Sequence, residues 1–360
     1  MRPIPPFIRL LLALTLVLAF SCCVPFATPE GDGSLVVMSW NVLSLFDAVE
    51  DGNEYADFSI SRGTWGETRY RNRLELLGKA ILASREKGPG RPPGPDIVCL
   101  IEIEKESILA DLAAGALAEG TYRYRSFAKV PGSPIGVGIL SRLPICEAKA
   151  WGLVLGERSE RPILEARIAV GEESLVIFLC HWKSKIEGAG ITEPARRASA
   201  GLLSRLMTER QAALPGAAIL ACGDFNENPD EYARTGRRYP TAFMPASEAI
   251  SGGEGAIRLG DRKAVGSGGT SGPFFSPWSE SEAYSYVHQG IRERIDGFVV
   301  APGLLDGKDL EFRDFQVFDG AGLVDDAGRP LPWSNATARG WSDHLPLLLG
   351  ITRMPKPGAP

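Results

Sequence analysis

The hydrophobic positions of this chain fall into two kinds of run. Short, nearly unbroken apolar runs read as strands buried on both faces, and apolar residues three or four apart read as amphipathic helices. "SLVVMSWN" is of the first kind, a buried strand from Leu35 to Trp40 that ends at Asn41. "RYRNRLELLGKAILASREK" is of the second, with apolar residues at 74, 77, 81 and 82, and the breaker "GPGRPPGP" stops it. "DIVCLIEIE" is the next buried strand and "ESILADLAAGALAEG" the next helix. Four strand-like segments follow: "YRYRSFAKV", "IGVGILSRLPI", "ILEARIAV" and "SLVIFLCHW". A long helix, "EPARRASAGLLSRLMTERQAAL", leads to the strand "AAILACGDF". Residues 251 to 282 are rich in Gly, Ser and Pro without a period, which predicts a long loop. "RIDGFVV" and "SDHLPLLLGI" close the pattern as two more strands. With no repeat and no linker, residues 35–352 are expected to form one α/β domain with large mixed or antiparallel sheets.

The N-terminus breaks this pattern. "MRPIPPFIRLLLALTLVLAFSCC" has a short basic region, then an apolar run from Leu10 to Phe20 that is too short to span a bilayer. The flanks match a secretory signal, and the cysteine straight after "LAFS" makes residues 1–21 resemble a bacterial lipoprotein signal. Cys22 would then be the lipidated N-terminus, residues 22–34 a tether and residues 353–360 a tail. That places the protein outside the cytoplasm, anchored to a lipid bilayer on the periplasmic or outer surface. An ordinary cleaved signal and a transmembrane anchor are the competing readings.

Net charge is −5, and because Arg2 and Arg9 are the only charges in the first 21 residues, the remainder carries −7. A chain this acidic is not held to nucleic acid by bulk charge, so such binding would need a local basic patch or a metal. Cys99, Cys180 and Cys222 sit in apolar runs, and with Cys146 they lack the paired spacing of a zinc or redox site, so structural thiols are expected.

Candidate chemistry lies at the ends of the buried runs. They deliver Asn41, Glu102, His181, Asp224 with Asn226, Asp296, and Asp343 with His344. Singly, each has an ordinary structural reading: Asn41 as a turn cap, Glu102 as part of an acidic run with Glu104 and Glu106, His181 as a satisfied core histidine. "GDFN" carries more, because Asp and Asn two apart on a strand end would point the same way. Together the residues make a carboxylate-rich, His-containing site suited to a hard divalent cation of the Mg²⁺ type, and such a cation commonly works on phosphate oxygens.

Taken as a set, "SWNVLSLFD", "PDIVCLIEIE", "GVGILSRLPI", "HWKSK", "GDFNENP", "ERIDGFVV" and "WSDHLPLLL" resemble, in order, the signature blocks of the endonuclease/exonuclease/phosphatase superfamily. These are metal-dependent phosphoesterases that include pancreatic-type deoxyribonuclease and the abasic-site endonucleases. The resemblance implies a four-layer α/β/β/α sandwich, two packed mixed sheets with helices outside and a site where strand ends converge. It implies that Glu102, with Asn41 and Asp343, holds Mg²⁺ or Mn²⁺ and its water shell. It implies that Asp224 orients or deprotonates the attacking water, and that Asn226 holds a phosphate oxygen. His344 would contact the phosphate with its tautomer set by Asp296, and His181 would donate to a non-bridging or leaving oxygen.

"NVLSLFDAVEDGNEYADFS…GTWGETRYRNRL", "HWKSK…RRASAGLL" and "YSYVHQGIRERID" resemble exported bacterial members, although Leu43 and Ser44 stand where that subgroup has Glu and Asn. Lys183, Lys185, Arg196 and Arg197 form either a phosphate-facing basic patch or a solvated helix start. The expected activity is hydrolysis of a phosphate ester, with an exported nuclease acting on DNA or RNA as the leading reading. A phosphomonoesterase or a lipid-headgroup phosphodiesterase of the sphingomyelinase or inositol-phosphatase kind is the alternative. A binding lipoprotein on an inactive enzyme fold is the non-enzymatic one. No feature of the sequence points to a protein partner.

Overall fold

The apolar runs become the central strands of two sheets in a computed structural model, which describes residues 34–88, 90–214, 217–248, 255–268 and 272–355. In chain order the first strands are β1 (Leu35–Leu45), β2 (Ile97–Ile103), β3 (Tyr124–Ala128), β4 (Gly136–Ser141), β5 (Ile145–Leu155), β6 (Arg158–Val170), β7 (Glu173–His181) and β8 (Ala218–Asp224). There follow β9 (Phe243–Pro245), β10 (Ile257–Gly260), β11 (Phe274–Phe275), β12 (Tyr286–His288), β13 (Ile291–Glu293), β14 (Asp296–Val300), β15 (Leu310–Val317) and β16 (Leu347–Arg353). Three longer helices, α1 (Glu67–Ala83), α2 (Glu106–Ala114) and α3 (Ala189–Ala213), are joined by the short α4 (Glu231–Arg234) and α5 (Arg262–Ser267). One sheet has six strands in the order β15-β16-β1-β2-β4-β3, the other eight in the order β5-β6-β7-β8-β14-β11-β10-β9, and β12 and β13 make a separate hairpin.

Strand alternation separates three apolar layers. Leu35, Val37, Cys99, Ile101, Val137 and Ile139 of the first sheet meet Ile168, Leu175, Ile177, Leu179, Leu220 and Cys222 of the second. On the other face of the first sheet, Val36, Met38, Trp40, Val98 and Leu100 pack against Leu74, Leu77 and Ile81 of α1 and Leu109 and Leu112 of α2. On the outer face of the second sheet, Val176, Phe178, Ile219 and Ala221 pack against Leu203, Leu206 and Met207 of α3. The result is α/β/β/α, as expected, and it explains why the central strands are apolar at every position: both of their faces are covered. Cys99, Cys180 and Cys222 are buried thiols within these layers.

Several strands depart from expectation: the short β9, β12 and β13 fall outside every expected strand, as do β5 and β15, and one expected loop is structured. β5 is an edge strand whose side chains are largely exposed, so no apolar run betrays it. β15, at the edge of the six-stranded sheet, alternates too weakly to stand out. The segment expected as a loop contributes β10 and β11 toward the far edge of the second sheet and α5 between them, and elements of two to six residues are too short to carry a period. Among the described residues no helix is long and apolar enough to cross a membrane. The signal segment, Cys22 and nearly all of the tether lie outside the described residues, as does most of the tail.

Candidate active site

β1 and β2 run parallel, as do β7 and β8, so their C-terminal ends bring Asn41, Glu102, His181 and Asp224 to one edge of the sandwich. β14 runs antiparallel to β8, which puts its first residue, Asp296, directly opposite Asp224. Asp343 and His344 precede β16, itself antiparallel to β1. They were expected on that strand, but it begins only at Leu347, after Pro346. The preceding residues leave the sheet to pair with the β12 segment, where Leu345 N–H donates to Ser285 O at 2.7 Å. Glu102, His181, Asp224, Asp343 and His344 line a cleft of about 660 Å³ that also touches Tyr55, Arg161, Lys185, Tyr286 and His288, while Asn41 and Asp296 support it through their hydrogen bonds to Glu102, Asp224 and His344.

Local backbone distortion aims the polar groups. Register shifts interrupt β1 between Asn41 and Leu45 and β2 between Ile101 and Ile103. Plain alternation would send Glu102 to the helix side with Val98 and Leu100. Instead it sits at a bulge with φ +67° and reaches the cleft. Leu43, Ser44 and Asn226 are also left-handed, an uncommon conformation for residues with a side chain. Asn226 therefore does not share a strand face with Asp224: β8 ends at Asp224, and a turn brings Asn226 to the cleft. That turn is closed by Asn226 N–H donating to Asp224 Oδ1 at 2.8 Å and Asn226 Nδ2 to the Trp182 carbonyl at 3.1 Å. Gly223 makes the approach of β7 and β8 possible, since at its φ of +139° a Cβ would stand 2.0 Å from the Cys180 carbonyl oxygen.

The groups interlock. Asn41 Nδ2 donates to Glu102 Oε1 at 3.2 Å and to Asp224 Oδ2 at 3.0 Å. His181 Nε2 lies 3.6 Å from Glu102 Oε1 and 3.7 Å from Asp224 Oδ2. Asp296 Oδ2 is 2.8 Å from His344 Nδ1, leaving Nε2 to the cleft, 3.8 Å from Asp343 Oδ1. Single atoms of Glu102, His181 and Asp224 lie within 4.8 Å of one another, and so do those of Asp224, Asp296 and His344; Asp343 belongs to neither group.

Burial pushes Asp224 up to about 7, with the Asp296 charge adding to it, and burial likewise raises Asp343. The two imidazoles diverge. Burial, then the nearby positive charges of Arg161 and His344, drives His181 well below the usual range. Burial would lower His344 too, but Asp296, Asp343 and Asp224 outweigh it and hold that ring well above the usual range as an imidazolium. Crowded carboxylates that resist ionisation, with Asp343 Oδ1 buried and unpartnered, are the donor set a divalent cation would relieve.

Of four further residues at the cleft or supporting it, Ser44 stood out in the sequence only as a departure from the exported subgroup, and Arg73, Tyr286 and Arg161 were not singled out. Ser44 donates its N–H at 2.9 Å and its hydroxyl at 2.8 Å to Glu102 Oε2, which leaves Oε1 facing His181. Arg73 is fully buried and donates to the carbonyls of Val42, Leu43 and Ser44, holding the turn that presents Ser44. Its position on the apolar stripe of α1, between Tyr70 and Leu77, was the available signal. Tyr286 stacks on the His344 ring with centroids 4.6 Å apart. Arg161 donates to the Trp182 carbonyl at 2.6 Å and borders the cleft. Of the basic cluster, only Lys185 borders the cleft. Arg196 is buried between Glu193 and Glu227, Lys185 pairs with Glu231 at 2.6 Å, and Lys183 pairs with Glu187.

Residues 36–237 match the model of the Endonuclease/Exonuclease/phosphatase family. Among solved structures, truncated Caenorhabditis elegans TDP2 is similar with a TM-score of 0.53 and 14% identity, covering 89% of this chain and 97% of that one. D. rerio TDP2 complexed with single strand DNA product gives a TM-score of 0.50 and 15% identity, covering 89% and 100%. An endonuclease/exonuclease/phosphatase family protein from Bacteroides thetaiotaomicron gives 0.50 and 16%, covering 88% and 97%. No curated protein matches. With more than half of its length matched by the family model and its fold shared with these structures, this chain belongs to the endonuclease/exonuclease/phosphatase family and carries that family's phosphoesterase fold.

Proposed function

We propose that this protein is an exported, divalent-metal-dependent phosphodiester hydrolase and that its substrate is DNA or RNA. The observation that carries the reading is the pairing of the Asp296–His344 imidazolium with the Glu102–His181–Asp224 cluster across one cleft. Glu102 with Asn41 and Asp343 would hold a Mg²⁺ or Mn²⁺, which would supply neutralising charge for a phosphate oxygen. His344 meets the phosphate through Nε2 as a cation, its tautomer and orientation set by Asp296. His181, kept neutral by burial, presents Nε2 as a donor to a non-bridging or leaving oxygen. Asp224, poised near neutrality, orients or deprotonates the attacking water, and Asn226 holds a phosphate oxygen. Support for nucleic acid comes from the D. rerio TDP2 fold, which is complexed with single strand DNA product.

Ile186, 93% exposed and bordering the cleft, favours a second reading, a phosphoesterase acting on lipid headgroups. The test is hydrolysis of DNA, RNA, sphingomyelin and inositol phosphates with Mg²⁺ and with EDTA. DNA or RNA should turn over fastest and chelation should abolish turnover. Full activity in the chelated enzyme sinks the metal assignment, and faster turnover of sphingomyelin or inositol phosphate replaces the nuclease with the second reading. Anchoring at Cys22 is part of the proposal: radiolabelled palmitate should enter the protein in a bacterium and not enter Cys22→Ala.

A further inference from the structure

A second group of carboxylates lies beneath the loop that follows β1. Glu104, just past the end of β2, is fully buried. Its Oε2 accepts the Asp47 N–H at 2.9 Å, but Oε1 has no hydrogen-bond partner. One oxygen each of Asp51, Glu54 and Glu104 lies within 4.8 Å of the others. Glu54 is folded back so that its two oxygens accept the N–H groups of Asp51 at 2.6 Å and Gly52 at 2.9 Å. Lys105 Nζ stands 3.0 Å from Asp51 Oδ2, 3.1 Å from Asp47 Oδ2 and 3.5 Å from Glu104 Oε1. One ammonium thus stands among three carboxylates, and its closest approaches are to Asp47 and Asp51.

A buried carboxylate oxygen with no donor is costly, and proteins resolve such a group with a proton, a well-placed donor or a cation. At 3.5 Å, and without a hydrogen bond, Lys105 leaves Glu104 Oε1 unserved. We propose that Asp51, Glu54 and Glu104 form a second divalent-cation site, separate from the catalytic cleft, and that it takes Ca²⁺. The donors are oxygens only, which excludes the softer metals. Bonds of about 2.3–2.6 Å to a central Ca²⁺ can bridge oxygens this far apart, and an irregular loop tolerates its variable geometry. Mg²⁺ needs shorter bonds in a near-ideal octahedron and sheds water reluctantly. Asp51 and Glu54 sit toward solvent, so water completes the shell, and Lys105 can swing outward on its flexible stem. The ion ties the 47–54 loop to the chain two residues beyond Glu102. That loop leads directly into Tyr55, a wall of the cleft. The site stands independently of the phosphoesterase reading.

The test uses the full chain carrying Glu102→Gln and Asp224→Asn, which removes the carboxylates of the catalytic cluster. Calorimetric titration should give one Ca²⁺ per chain, with a rise in Tm and affinity at least tenfold above that for Mg²⁺. Adding Asp51→Asn, a change at a half-exposed loop position that leaves the core untouched, should weaken Ca²⁺ at least tenfold, and Glu104→Gln should do the same. The proposal is overturned if the Glu102/Asp224 variant binds no Ca²⁺, if Asp51→Asn leaves its affinity unchanged, or if Mg²⁺ binds as tightly.

Discussion

At the scale of single residues, the site separates two adjacent side chains by what each touches. Asp296 holds His344 Nδ1 at 2.8 Å, whereas Asp343 makes no hydrogen bond through Oδ1 and stands on the Nε2 side of the same ring. Asp296→Asn removes the charge that keeps His344 cationic and the acceptor that fixes its orientation, while the metal carboxylates stay in place. Turnover should fall by roughly 10²–10⁴-fold at every Mg²⁺ concentration, the range seen when an orienting carboxylate or a general acid–base group is lost. Asp343→Asn should instead lower the affinity for Mg²⁺, and added Mg²⁺ should restore part of the rate. Turnover measured against Mg²⁺ for both variants decides the matter, and the reverse pattern of rescue would exchange the two roles.

At the scale of elements, the site depends on where strands stop being regular. The β1 turn places two left-handed residues in succession, Leu43 and Ser44, and Arg73 of α1 stabilises it by donating to three of its carbonyls. Rings of Phe58 and Trp333 flank the guanidinium at 5.9 and 5.2 Å. Burial lowers the Arg73 pKa to about 9, still well above neutrality, so the group stays charged in the working range. Arg73→Met leaves buried carbonyls without donors, at about 1–3 kcal/mol for each one left unsatisfied. A Tm lowered by several degrees is expected. Because Ser44 would then release Glu102, turnover should fall more than stability alone accounts for. Thermal melts and turnover at a temperature where the variant stays folded separate the two effects, and unchanged turnover there would deny Arg73 a part in shaping the site.

At the scale of the whole molecule, strands of both large sheets contribute to one cleft, so the apolar layer between the sheets sets the spacing of the chemistry. Ile168 is fully buried in that layer, and Ile168→Ala should cost about 2–5 kcal/mol in denaturant unfolding. Ile186, almost fully exposed, should shift stability by no more than about 0.5 kcal/mol on the same change. If Ile186→Ala nevertheless slows a lipid substrate and spares DNA, the residue acts on substrate rather than on the fold.

What the sequence determined by itself was the inventory. Strands buried on both faces must be apolar throughout, so β1, β2, β7, β8 and β14 were legible as runs, and the polar residue that ends or begins each stood out against them. Amphipathic spacing likewise marked α1 and α3. Edge strands escaped because one face or more meets water and no run is required, as in β5 and β15. The tertiary structure alone decided how the inventory is aimed. Glu102 reaches the cleft through a bulge and Asn226 through a left-handed turn, neither of which alternation encodes. Arg196 and Arg73 are charged and yet buried, because Glu227 and the carbonyls of the β1 turn, from distant segments, meet them there. Contacts of that kind join residues 29 to 304 positions apart, as in Arg73 to Ser44 and Trp40 to His344, and only the packed sheets bring them within hydrogen-bond range.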